Sequence, residues 1–168
     1  MQFWAALVPA LMPQLDDIAA RARSQHRSGK LIFPAIKQSF SQHKLEEVEV
    51  ICSADAFADI LQQSSLVIAM TGTELEQAVR LGKPVIAVPG NGPAFTYRFA
   101  EAQNRLLGDS VQVIGTQPAN SDIIKEAALA VDRTLQDNKY LASCIKNGLE
   151  RMGRSGSIKI ANYVANYL

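Results

Sequence analysis

The chain reads as an α/β protein: a three-layer parallel sheet with helices on both faces. Three features of its 168 residues carry that expectation. Short, unbroken apolar runs such as Leu66–Met70 and Val85–Val88 have the pattern of strands buried on both sides. Between such runs, apolar residues recur at helical spacing. Gly and Pro stand at the junctions, as at Gly82 and Pro84. Strands alternating with helices in this way form βαβ units and hence parallel pairs.

In chain order, Phe3–Val8 reads as a buried strand stopped by Pro9. Leu11, Leu15, Ile18, Ala19 and Ala22 follow at helical spacing, with Pro13 tolerated in the first turn. Gln25–Lys30 is a polar loop. Leu31–Ile36 is apolar enough for a strand, but Pro34 cannot donate to a ladder and demotes it to an edge or an irregular piece. Ser39–Glu47 is polar and carries no pattern. Val48–Cys52 is a strand, after which Ser53 or Asp55 caps a short helix bearing Phe57, Ile60 and Leu61.

Ser64–Pro93 holds the clearest unit. Leu66–Met70 is a strand, and Thr71-Gly72-Thr73 breaks it. Leu75, Ala78 and Val79 mark a helix stopped by Gly82 and Pro84, and Val85–Val88 is the second strand. Phe95, Phe99, Ala102 and Leu106 stripe the next helix, which ends at Gly108; Phe99 is assigned to the core. Val111–Ile114 is another short strand. Ser121 is the expected cap of a helix with Ile123, Ala127, Val131 and Leu135 on one line and Ile124 and Ala128 beside it. Leu141, Ile145, Leu149 and Met152 mark a further helix. Gly153–Ser157 is a turn, and Ile158, Ala161, Val164, Ala165 and Leu168 a terminal amphipathic helix. The whole is Rossmann-like, with no internal repeat.

Composition excludes several function classes. Apolar residues make up 48% and charged residues 20%, the balance of a globular domain. A formal charge of +1 gives no overall pull toward nucleic acid or anionic membranes. The basic cluster Arg21, Arg23, His26, Arg27 and Lys30 lacks interleaved aromatics and reads as a solvated helix end. Cys52 and Cys144 form neither a disulfide framework nor a CxxC pair, and both read as small buried hydrophobes. His26 and His43 have no ligand-spaced partner, so no metal is expected. The opening MQFWAALVPALMP lacks a basic flank and is read as part of the fold, not as a signal sequence.

Function is expected at the carboxyl end of the sheet, where ligands of open α/β folds sit. The helix starting near Thr73 offers unpaired N–H groups and the positive end of its dipole. Gly72 permits close approach, and the hydroxyls of Thr71 and Thr73 add donors, which together suit a diphosphate. A second reading stays open. Thr71 with Glu74, and Thr73 with Glu76, both have capping-box spacing, and two first-turn carboxylates would repel a phosphate. The loop Pro89–Pro93 aims backbone amides at the same edge or is a plain turn. Phe95 and Tyr97 follow it as aromatic surface for a sugar or base.

The stretches SSLVIAMTGTELEQAVRLGKPVIAVPG and GPAFTYRFAEAQNRLLG resemble the carboxyl-terminal domain of GT-B glycosyltransferases that use UDP-sugars. The likeness is nearest to lipid-A-disaccharide synthase-related proteins of cyanobacterial type, and it runs from about Asp55 to Gly115. It implies a UDP-sugar partner resembling UDP-N-acetylglucosamine, bound by Thr71, Gly72, Thr73, Glu76, Gln77, Asn91, Phe95 and Thr96, with no cofactor. The diphosphate falls to Thr71–Thr73. The ribose falls to the helix position held here by Gln77, where relatives carry Glu. The sugar and phosphates fall to Asn91, Phe95 and Thr96.

The resemblance further implies a fragment, residues 1–168, of a two-domain cytoplasmic protein. The first strand and the acceptor domain with its catalytic base are missing, so no catalytic residue is assigned and the chain alone is expected to be inactive. A homodimer completing the sheet is a further expectation. Two other readings are a UDP-GlcNAc 2-epimerase-like domain and a non-catalytic fragment that kept the fold and lost the site.

Overall fold

The computed structural model describes residues 3–6, 30–32, 49–53, 56–153 and 156–166. The expected helix through Leu11–Ala22, the basic cluster other than Lys30, Pro34, the polar stretch 39–47, the cap at Asp55, and His26 and His43 lie outside the described residues. So does the side chain of Cys52. The fold is α/β, with parallel three-stranded sheets and helices. The chain divides into two compact units, Met1–Gln63 and Ser64–Leu168.

The first unit carries β1 (Phe3–Ala6), β2 (Lys30–Ile32), β3 (Glu49–Ser53) and helix α1 (Phe57–Gln63). Its strands pair in parallel in the order β1-β3-β2, with Phe3 opposite Val50 and Leu31 also opposite Val50. The stretch expected from Leu31 is thus an edge strand, and a short one. Leu61 is the buried residue of α1.

The second unit runs β4 (Val67–Ala69), α2 (Thr73–Arg80), β5 (Val85–Ala87), α3 (Tyr97–Leu107), a 3-10 turn (Gly108–Ser110), β6 (Val111–Val113), α4 (Ser121–Gln136), α5 (Asn138–Met152) and α6 (Gly156–Ala165). The strands pair in parallel in chain order, β4-β5-β6, with Val85 between Val67 and Val111. Central β5 is fully buried, as its apolar run implies. Ile86 and Val88 pack with Ala127, Ala130 and Val131 of α4. Strand β4 corrects the expectation of burial on both sides: Ile68 is 52% and Met70 51% exposed. Among the described residues it stands at the end of the strand order β4-β5-β6.

Helix α2 ends in a Schellman motif. The N–H of Gly82 donates to the Val79 carbonyl (2.9 Å) and that of Lys83 to the Ala78 carbonyl (3.0 Å). Gly82 has φ +72°, in the left-handed region that glycine enters without steric cost. Helix α5 crosses α2 at very short range. A Cβ added to Gly148 would stand 2.1 Å from the Val79 carbonyl oxygen, and one added to Gly82 would stand 2.9 Å from the Ile145 Cα.

That crossing corrects the stripe expected on α5. The buried line is Cys144 and Gly148, while Ile145 and Leu149 are exposed, because only small residues fit where two backbones nearly touch. The crossing also sets the polar groups behind it. Asn147 Nδ2 donates to the Leu107 carbonyl and to Ser110 Oγ, both at 2.8 Å. The Tyr140 hydroxyl donates to the Asp109 carbonyl at 2.6 Å, and burial pushes this phenol well above its ordinary pKa.

Two more helices are phased differently from the expectation. On α3 the buried residues are Ala100, Gln103 and Leu107, and Phe99, assigned to the core, is 44% exposed. On α4, Ile123, Ala127, Val131 and Leu135 do face inward, but their flanking line is Ala130 and Thr134, with Ile124 and Ala128 exposed. Asn120, not Ser121, caps α4: its Oδ1 accepts from the N–H groups of Asp122 and Ile123, each at 3.0 Å. Helix α6 buries none of its described residues. Among the described residues, no helix is long and apolar enough to cross a membrane.

Candidate functional site

Strands β4 and β5 are parallel and paired with Ala69 opposite Ala87, so their carboxyl ends lie side by side. Thr71–Thr73 leaves one end and Pro89–Pro93 the other. The Val88 N–H donates to the Ala69 carbonyl at 2.9 Å, carrying the pairing up to the two turns. The sheet therefore brings together the two segments singled out in the sequence.

Thr71 is 7% exposed, and its hydroxyl donates to the Ala94 carbonyl in the loop before α3. Gly72 has φ +130° and ψ −173°, a conformation open essentially to glycine alone. Its N–H donates to Gln103 Oε1 at 3.0 Å, and its carbonyl accepts from Gln103 Nε2 at 3.1 Å. The same carbonyl accepts from the Leu75 N–H at 3.2 Å. No side chain caps α2, so neither expected capping box forms. The reason is geometric: the Thr71 hydroxyl is directed to another loop, and Gly72 rather than a threonine stands at the cap.

The loop after β5 folds on itself. The Gly90 N–H donates to the Phe95 carbonyl (2.7 Å), and the Phe95 N–H donates to the Gly92 carbonyl (3.2 Å). The Phe95 ring leans on Gly92, where an added Cβ would meet Cδ2 at 3.2 Å. Met70 Sδ covers Gly90. Asn91, Phe95 and Thr96 are exposed, as are Thr73 and Gln77, while Glu76 is half-buried one turn into α2.

The electrostatics of this edge are mixed. The first N–H groups of α2 have no carbonyl a turn earlier in the helix and present partial positive charge. Against that, the Glu74 carboxylate lies over Gly72: an added Cβ there would be 2.2 Å from Oε2. No Lys or Arg occurs in 71–77 or 89–96. An anion at the turn would rely on backbone amides, Thr73 and the loop, with Glu74 swung aside.

The residue that sequence reasoning missed is Gln103. It is 8% exposed and lies on the buried line of α3 between Ala100 and Leu107. A polar side chain three and four residues from two small or apolar ones was the available signal; the larger Phe95–Phe99–Leu106 stripe masked it. Among the described residues there is no group of three His, Cys, Asp or Glu placed to hold a metal. No protein-family model matches the chain, and no curated protein matches it. What fold and edge define among the described residues is an α/β protein with a well-formed pair of strand-end turns.

Proposed function

We propose that the chain is the UDP-sugar-binding half of a GT-B-type glycosyltransferase related to lipid-A-disaccharide synthase, with a Rossmann-like three-layer domain as its scaffold. The observation that supports this reading is the tie between the two strand-end turns, Thr71 to Ala94 and Gly72 to Gln103, at the edge where such folds take nucleotides. In this reading the amides that open α2, with Thr73, Asn91 and Thr96, hold the diphosphate, and Phe95 faces the sugar or base. Gln77 takes the ribose hydroxyls by neutral hydrogen bonds.

In the intact cytoplasmic protein an acceptor hydroxyl attacks the anomeric carbon, and the bond from that carbon to the diphosphate oxygen breaks. The acceptor's proton goes to a base outside this chain. The fixed dipole of α2 stabilises the charge that collects on UDP.

A second reading, a domain that keeps the fold without the ligand, is favoured by the Glu74 carboxylate over Gly72 and by the lack of Lys or Arg within 71–77 and 89–96. Thermal melting with UDP and UDP-N-acetylglucosamine separates the two. Ligand at 100 times its dissociation constant should stabilise by ~2.7 kcal/mol. An unmoved melting temperature at millimolar ligand establishes the second reading. If UDP binds, Asn91→Asp should weaken it about tenfold or more by placing a like charge beside the phosphates. Gly72→Asp is a poor probe, since the φ of +130° and the Glu74 contact would disturb the turn whatever binds there.

A further inference from the structure

We infer that Gln103 is the positioning residue of the turn at Gly72, an inference that rests on the nucleotide-binding reading above. Its carboxamide is nearly buried and bonds both backbone groups of one residue, accepting from the Gly72 N–H at 3.0 Å and donating to the Gly72 carbonyl at 3.1 Å. Only a primary amide offers a donor and an acceptor side by side in this way. Glu would keep the acceptor and set a negative charge against the Gly72 carbonyl, while Met has similar length and neither group.

The clamp does two things to the edge. It holds Gly72 at φ +130°, a conformation a free glycine only visits, and so fixes where the first amides of α2 point. It also removes the Gly72 N–H from the set available to a ligand, which leaves the amides of Thr73 and Glu74 as the phosphate donors. The Thr71 hydroxyl on the Ala94 carbonyl is a second tie between the same two segments. The turn therefore cannot move without α3, and α3 carries Phe95, Thr96 and Tyr97 at or just before its start. Gln103 thus sets the diphosphate turn and the aromatic side of the edge in register without touching a ligand.

The test is the ratio of UDP to uridine affinity, followed by amide chemical shifts in wild type, Gln103→Met and Gln103→Glu. All are measured well below their melting temperatures, with Thr134→Val, which removes the buried hydroxyl that accepts from Gln112 Nε2 at 2.9 Å, as a variant destabilised away from the edge. The expected result is a tenfold or greater loss of UDP affinity in both Gln103 variants. Uridine affinity stays within twofold, and Thr134→Val keeps the wild-type ratio. A Gln103 variant that keeps the wild-type ratio, or loses both ligands equally, overturns the inference while leaving the nucleotide reading intact. Wild type that binds neither UDP nor uridine overturns the nucleotide reading and the inference together.

Discussion

Gly148 has no side chain at the point where α5 crosses α2, and its missing carbon would press on the Val79 carbonyl. That oxygen belongs to the Schellman end of α2 and cannot give way alone. Gly148→Ala should therefore cost roughly 2–3 kcal/mol, the upper part of the usual overpacking range, read as a lower urea midpoint at unchanged slope. Tyr140 gives a second measurable effect. Replacing it with Phe removes the bond to the Asp109 carbonyl and should cost about 1 kcal/mol. Burial raises its pKa in the folded state, so the protonated phenol is favoured by folding. Its contribution is complete below the unfolded value of about 10 and falls as pH rises beyond it. Urea denaturation across that range should show the advantage of wild type over Tyr140→Phe constant up to ~pH 10 and shrinking above it. Gln103 and Gly148 were both hard to read from sequence for one reason: each matters through a backbone it touches, and hydrophobic pattern is blind to backbones.

Among the elements, α4 separates what periodicity reveals from what it hides. Its inward line of Ile123, Ala127, Val131 and Leu135 was legible because a long helix repeats its signal over several turns. Its cap was misplaced by one residue, since Asn120 and Ser121 are both good caps and only the backbone decides between them. Asn120→Ala should cost about 1 kcal/mol and Ser121→Ala only a few tenths, compared by thermal melting. Helix α3 shows the opposite case. Phe95, Phe99 and Leu106 form a stripe, yet the line facing inward is Ala100, Gln103 and Leu107, with the Gln103 amide bonded to the 71–73 turn. The strands were legible as runs but not in their burial. Val85–Ala87 and Val67–Ala69 have the same composition, and only sheet position makes one fully buried and the other half-open. At the candidate edge, the pairing of two strand-end turns was legible from glycine and threonine placement. The Glu74 carboxylate over Gly72 was not, since side-chain rotamers leave no mark on sequence.

For the molecule as a whole, the α/β class and parallel pairing follow from the alternation of runs, while the division at Gln63/Ser64 has no Gly or Pro to mark it, only the four polar residues Gln62–Ser65. The core built on Ile86, Val88, Ala127, Ala130 and Val131 lies wholly within the second unit. A fragment of residues 64–168 is therefore expected to melt cooperatively with the helix content of this region retained; circular dichroism showing a broad, gradual loss would contradict that. The strand order β4-β5-β6 has one more consequence, for the growing chain on the ribosome. Each new strand adds to one already made, so the sheet can extend as it is synthesised, with every pairing partner upstream. Helix α4, which covers Ile86 and Val88, emerges only after β6. Until it does, the nascent sheet presents one apolar side to solvent or to a chaperone, the interval in which this chain is most open to misassembly.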